Sequence, residues 1–432
     1  MHDVKPAPQH RSIEPVRVTA YSCVSACGEG SQALADHLVH NRSALGRLTL
    51  LDLPFDTPVG ECRGTLPAVR PDLIAYQCRN ARLALAALNN EQDGLRGAVE
   101  AARQRFGPAR IGVIIGTSTS GLLETEAAYQ MLLKEGKMPA DFHFLTRHAY
   151  QATARFLQNE LGLAGPCYAI STACSSSAKA LAAGQRLIHN GVCDAVLAGG
   201  ADSLCRLTLR GFNALELISD QRCKPMDRNR NGINIGEAAA LLLLERDGST
   251  EPFRRERNGT DSGCPKGRRQ GWRRSNPLLL AGGESSDAHH MSHPHPQGKG
   301  AQEAMEMALR QCGLTPESID YINMHATATR LNDAIEAKAV EALFGDSVPC
   351  SATKGITGHT LGAAGALEAI ISLLALKGQW IPGTCGLEAP DPAFGCRIAA
   401  QPQNDQRLNT VMSNVFGFGG NNISLIFSLG DG

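Results

Sequence analysis

Ser171-Thr172-Ala173-Cys174-Ser175-Ser176-Ser177-Ala178 is the stretch on which the reading of this chain turns. It follows an apolar run, Cys167-Tyr168-Ala169-Ile170, that reads as a buried strand. It precedes Ala178 to Ile188, where Ala and Leu recur at helical spacing. Cys174 therefore falls at a strand-to-helix turn, close to a helix N-terminus whose unpaired N–H groups and positive dipole end favour an anion. A thiolate is such an anion, so Cys174 is expected to titrate below the ordinary ~8.5 of a thiol. Small neighbours on both sides let a substrate approach. The competing reading is a structural cysteine, since a free Cys packs as a small hydrophobe. The rest of the chain has to decide between the two.

With 432 residues the chain is too long for one simple core and suits two fused halves. Lys plus Arg and Asp plus Glu both number 42, which argues against nucleic acid or an anionic membrane as the main partner. No apolar run approaches the ~18 residues of a membrane span. Residues 1–15 are polar, carry Pro6, Pro8 and Pro15, and lack a signal-peptide core, so they read as a disordered N-terminus on a cytoplasmic protein. Fourteen cysteines suggest a metal or disulfide inventory, but no Cys-x-x-Cys pair occurs, and reduced thiols in a cytosolic core fit the scatter.

Strand and helix patterns alternate along the chain, giving an α/β class. Residues 16–246 form one half. Arg110 to Ile115 reads as a buried strand ending in Gly116-Thr117-Ser118-Thr119-Ser120-Gly121, a turn that is not a P-loop because no Gly-Lys-Ser/Thr follows. Residues 247–275 break the pattern. Asp247 to Arg274 holds eight basic and four acidic residues with almost no apolar period, and reads as a basic flexible insert. Residues 276–432 resume the alternation. A tight turn followed by an Ala-rich helix recurs in each half, which hints at duplication.

Three further stretches place polar groups where a strand meets a turn, the usual seat of function in an α/β scaffold. They are Asn323-Met324-His325-Ala326-Thr327-Ala328-Thr329, Ser351-Ala352-Thr353-Lys354-Gly355-Ile356-Thr357-Gly358-His359, and Asn414-Val415-Phe416-Gly417-Phe418-Gly419-Gly420-Asn421-Asn422. Each is weak alone, because a lone His is more often a satisfied polar residue and a glycine loop more often a plain turn.

Together with the Cys174 turn, these motifs closely resemble the β-ketoacyl-acyl-carrier-protein synthases of the thiolase superfamily, from Val16 to Phe427 and interrupted only by the insert. The resemblance implies a duplicated five-layer αβαβα fold, a homodimer or a heterodimer with a related chain, and no metal or dissociable cofactor. Substrates then ride on the phosphopantetheine of an acyl carrier protein. It makes Cys174 the acyl-accepting nucleophile and His325 and His359 the pair that serves malonyl decarboxylation and condensation. Lys354 resembles the family's buried lysine, with Glu336 as the acid beside it. Phe418 resembles the gatekeeper, and the N–H groups of Cys174 and Phe418 the oxyanion hole. Thr327 and Thr329 match residues that meet the pantetheine arm, and Thr119 matches an acyl-pocket position at the dimer interface.

The sequence also departs from the family pattern. Ala326 and Ala328 stand where glycine is usual, which is expected to tighten the pantetheine channel, and Arg330 stands where proline is usual. Glu237-Ala238-Ala239-Ala240 replaces a more glycine-rich run and favours a straighter helix. Lys179 has no matched role and reads as a helix-surface residue. Two rival readings are a thiolase, which needs a second cysteine that Val415 to Asn422 lacks, and a non-catalytic chain-length subunit of a ketosynthase heterodimer. The wording of Ser175 to Ala180 and of Ser285 to Met291 resembles the branch attached to aryl-polyene pigment clusters.

Overall fold

The structure, a computed structural model, describes residues 13–247 and 276–430. Most of the expected disordered N-terminus (1–15) and of the basic insert (247–275) lies outside the described residues. The main sheet follows ten strands: β1 Val16–Ser25, β2 Ile111–Gly116, β3 Cys167–Ile170, β4 Ala195–Asp202, β5 Ala238–Arg246, β6 Leu278–Ser286, β7 Tyr321–Asn323, β8 Cys350–Ser351, β9 Thr410–Gly417 and β10 Asn421–Ser428. Their spatial order is β3-β2-β4-β5-β1, then β6-β10-β9-β7-β8.

Numbered within its own half, each set of five reads 3-2-4-5-1 from its outer edge inward. In both, the second strand runs parallel to the third and fourth, and the remaining neighbours are antiparallel. Two copies of one topology meet where Val16 and Arg17 pair with Leu279 and Leu278. The fold is thus duplicated, although the sequences of the halves barely show it.

Helices Ser176–His189 and Ala364–Gly378 pack on each other between the halves and share one core with both. The crossing is close: a Cβ on Gly365 would lie 2.6 Å from that of Ala178, so only glycine fits there. Helices Arg79–Asn89 and Ala152–Glu160 cover the outer face of the first half, while Lys299–Cys312 and Arg330–Phe344 cover that of the second. The five layers alternate α, β, α, β, α.

Several expectations are corrected. The Glu237–Ala240 run begins strand β5 rather than a helix; Ala238 to Leu244 are buried on both faces, and a central strand position overrides helix propensity. Strand β3 is a half-buried edge with Tyr168 exposed, not a buried strand. Leu361–Gly378 is long and apolar enough to cross a membrane by composition, but 83% of it is buried inside the fold, where a central helix has to be apolar all round. Lys179 is not a plain surface residue, since its ammonium pairs with Glu284 of the other half at 3.2 Å.

Both flanks of the insert end beside β1, where Arg246 pairs with Val16 and Leu278 with Arg17. Two strand spacings, about 10 Å, separate them. Replacing residues 248–275 by a short Gly/Ser linker is therefore expected to leave condensation intact, because loop closure over so short a gap is inexpensive. Loss of folded protein, or of acylation at Cys174, would show that the segment packs into the core.

Candidate active site

Cys174 sits on a stitched elbow. Ala173 takes a left-handed φ of 54°, which turns the chain sharply between β3 and the helix at Ser176. The hydroxyls around it hold that turn. Ser176 Oγ accepts from Thr172 N–H at 2.9 Å and donates to Ala173 O, while Ser175 Oγ donates to Thr172 O at 2.8 Å. Ser177 Oγ accepts from Ala366 N–H at 2.9 Å, tying the elbow to the second central helix.

His359 Nε2 lies 3.0 Å from Cys174 Sγ, and the His325 ring meets the His359 ring edge-on, with centroids 5.3 Å apart. All three side chains are buried. Burial pushes the Cys174 thiol up to about 11; Lys354 and the backbone N–H groups of Phe418 and Cys174 pull it down without cancelling that effect. The expected low-pKa thiolate is therefore corrected: desolvation at this depth outweighs the helix end, and the resting sulfur is protonated. Burial, and then the positive charge of Lys354, hold both imidazoles neutral, well below the ordinary histidine value.

Lys354 Nζ donates to His325 Nδ1 at 3.2 Å and to His325 O at 2.5 Å, and pairs with Glu368. An ammonium only donates, so this network assigns the His325 proton to Nε2. His359 Nδ1 has no partner among the described residues, so no bond at that nitrogen fixes its tautomer. A cysteine and two histidines with ligand atoms within 4.8 Å are a metal-ligand set by type. Lys354 works against that use, because it leaves His325 presenting an N–H donor where a metal needs a lone pair.

Glu336 is not the partner of Lys354. Its two oxygens accept from His325 N–H at 2.8 Å and Ala326 N–H at 2.6 Å, so it holds the loop that carries His325. Burial raises it to about 8 against those bonds. Glu368, on the second central helix, pairs with Lys354 in its place. A lone carboxylate inside an otherwise apolar buried helix was the sequence signal for it, since a buried charge needs a partner.

A cavity of about 640 Å³ runs from Cys174, His325 and His359 past Phe418, Thr327 and Thr329 to the surface. The Phe418 ring packs on Phe212 with centroids 5.5 Å apart. Gly419 N–H donates to Met291 O at 2.8 Å, so the glycine loop is tied to the 287–297 segment. Phe212 belongs to helix Arg206–Ala214, which the sequence pattern did not reveal.

Thr119 does not line this cavity. It is buried, donates to Asp202 Oδ1 at 2.8 Å and accepts from Ser203 N–H. Asp202 also accepts from Thr117, Ser118 and Gly362, so it clamps the first-half turn to the second half. Nor do Ala326 and Ala328 narrow the channel. Both methyls are in the core and both residues have positive φ, 21° and 68°, so the departure from glycine costs backbone strain rather than channel width.

The resting state of the thiol is directly testable. Alkylation of Cys174 by iodoacetamide, followed by mass spectrometry, is expected to accelerate about tenfold per pH unit from pH 7 to 9, because only the thiolate reacts and a raised pKa keeps its fraction climbing. A rate that levels off near pH 7 contradicts a protonated sulfur.

A thiol, a free-tautomer histidine and a lysine-locked histidine on a duplicated thiolase-like fold define a carbon–carbon condensing enzyme. Residues 81–249 match the description "Beta-ketoacyl synthase, N-terminal domain", and residues 279–388 match "Beta-ketoacyl synthase, C-terminal domain". Similar proteins include the 3-oxoacyl-acyl-carrier-protein synthase 2 of Coxiella burnetii, 30% identical over 96% of this chain and 98% of that one. The mitochondrial 3-oxoacyl-acyl-carrier-protein synthase of Arabidopsis thaliana is 34% identical over 74% of this chain and 68% of that one. Among solved structures, a chain of the ketosynthase (ApeO) in complex with its chain length factor (ApeC) from Xenorhabdus doucetiae is 38% identical. It covers 99% of this chain and 100% of that one, with a TM-score of 0.83. The chain belongs to the β-ketoacyl-acyl-carrier-protein synthase family, whose members are acyltransferases that lengthen acyl chains by condensation.

Proposed function

We propose that Cys174 carries the growing chain and that the two histidines activate a malonyl extender delivered by acyl carrier protein. The 3.0 Å contact between Cys174 Sγ and His359 Nε2 carries this reading. His359 takes the thiol proton as sulfur attacks the acyl thioester, and the carbonyl oxygen gathers charge against the N–H groups of Cys174 and Phe418. Collapse expels the pantetheine thiol, which receives that proton. The malonyl thioester then binds with its carbonyl oxygen at the Nε2–H of His325 and at His359 in its other tautomer. As carbon dioxide leaves, charge builds on that oxygen, and two neutral donors stabilise it. The enolate carbon attacks the acyl-cysteine; a carbon–carbon bond forms, the carbon–sulfur bond breaks, and the freed thiolate takes up one proton from solvent. These steps call on no metal and no dissociable cofactor, and the reaction belongs in the cytoplasm.

Strand β3 is an open edge with Tyr168 exposed, a place for a second ketosynthase-like subunit. The Xenorhabdus complex, a ketosynthase with its chain length factor, supports a subunit of that kind over a second copy. The wording of Ser175 to Ala180 and of Ser285 to Met291 points to aryl-polyene pigment synthesis, with ordinary fatty-acid elongation as the alternative. The test offers acyl and malonyl carrier proteins to the purified chain, alone and with a chain-length-factor subunit, and weighs the carrier-bound product. A β-ketoacyl product two carbons longer supports the reading. Decarboxylation and elongation absent from both mixtures would return the chain to the non-catalytic alternative.

A further inference from the structure

We infer that Arg330 is the anchor for the phosphate of the phosphopantetheine arm, an inference that rests on the carrier-dependent reading above. The segment from His325 to Arg330 climbs the cavity wall. His325 is 1% exposed and Thr327 7%, Thr329 is half-buried, and Arg330 is exposed at the rim. Five residues of chain reach at most about 17 Å. The arm has thirteen bonds between its sulfur and its phosphorus, which is a similar extended length. The turns at Ala326 and Ala328 shorten the protein segment below that limit, so a thioester at Cys174 whose arm follows Thr327 and Thr329 has length enough for its phosphodiester to reach Arg330.

The guanidinium suits that task. No carboxylate or other acceptor engages it among the described residues, whereas the neighbouring Arg230 spends its own on Asp391 at 2.7 Å, Asp227 O at 2.9 Å and Arg330 O at 2.9 Å. The last of these bonds holds the backbone of Arg330. Glu216 is the one acid among the residues lining the cavity, so the rim does not neutralise the cation. An arginine binds phosphate oxygens by two parallel N–H bonds, which gives position as well as affinity.

The test compares malonyl-phosphopantetheine with malonyl-pantetheine, identical thioesters apart from the phosphate, as extenders for Cys174 loaded with the same acyl group. The wild type is expected to prefer the phosphorylated extender about tenfold in kcat/KM, through KM and more strongly at low salt. Arg330→Gln should erase that preference, and Arg330→Lys should keep part of it. Full preference in Arg330→Gln, or none in the wild type, overturns the assignment. A wild type that extends neither with these thioesters nor with malonyl carrier protein overturns the condensing reading beneath it instead.

Discussion

Cys174→Ala is expected to lower acyl transfer by at least about 10⁴-fold while leaving the fold and malonyl decarboxylation in place. The loss is large because covalent catalysis has no partial form once the sulfur is gone. The other described cysteines offer no substitute. Twelve others are free, but none shares a strained turn with a histidine 3.0 Å away and an open cavity. On the proposed mechanism decarboxylation draws on the N–H groups of His325 and His359 rather than on sulfur, so it should persist. Stability should change by only about 1 kcal/mol, since a small buried side chain becomes a slightly smaller one. Peptide mapping after thiol-directed labelling gives the check. Full labelling of the variant at another cysteine, with transfer retained, would place the nucleophile elsewhere.

How much of this was legible beforehand depends on what each residue interacts with. The Cys174 elbow could be read locally, because a strand, a short small-residue turn and a helix are neighbours in sequence. The histidines and Lys354 were visible through motif resemblance. The pairing of Lys354 was misread, because the choice between Glu336 and Glu368 is made by which helix faces the cavity floor, and that is a packing outcome. The thiol's titration was misjudged for a related reason. A helix N-terminus is a local feature, whereas burial by two central helices and a glycine loop is not, and burial is the larger effect. Strand β5 was misread because Ala and Leu runs suit both a buried strand and a helix until neighbouring strands are known. Thr119 matched an acyl-pocket position by resemblance, but Asp202, 83 residues away, engages its hydroxyl.

The two histidines are expected to fail in different ways. His325→Ala should slow malonyl decarboxylation by about 10²–10³, the usual cost of one missing donor at a developing oxyanion, while Cys174 is still acylated at nearly the normal rate. His359→Ala should slow both half-reactions, because its Nε2 is the group within reach of the thiol proton and, on the proposed mechanism, also the second enolate donor. The difference follows from the tautomers. Lys354 holds His325 as an Nε2–H donor throughout, whereas the unpartnered Nδ1 of His359 lets that ring carry its proton on either nitrogen. Lys354→Met should therefore mimic His325→Ala in a milder form, acting through ring orientation and tautomer. Both imidazoles are held neutral well below the ordinary histidine value, so their donor form persists on acidification, and wild-type decarboxylation should show no inflection near pH 6.5. Burst measurements of acyl-enzyme formation, set beside carbon dioxide release from malonyl carrier protein, separate the half-reactions. Equal loss of acylation in the two histidine variants, or a rate that falls with a midpoint near pH 6.5, would remove the division of labour argued for this pair.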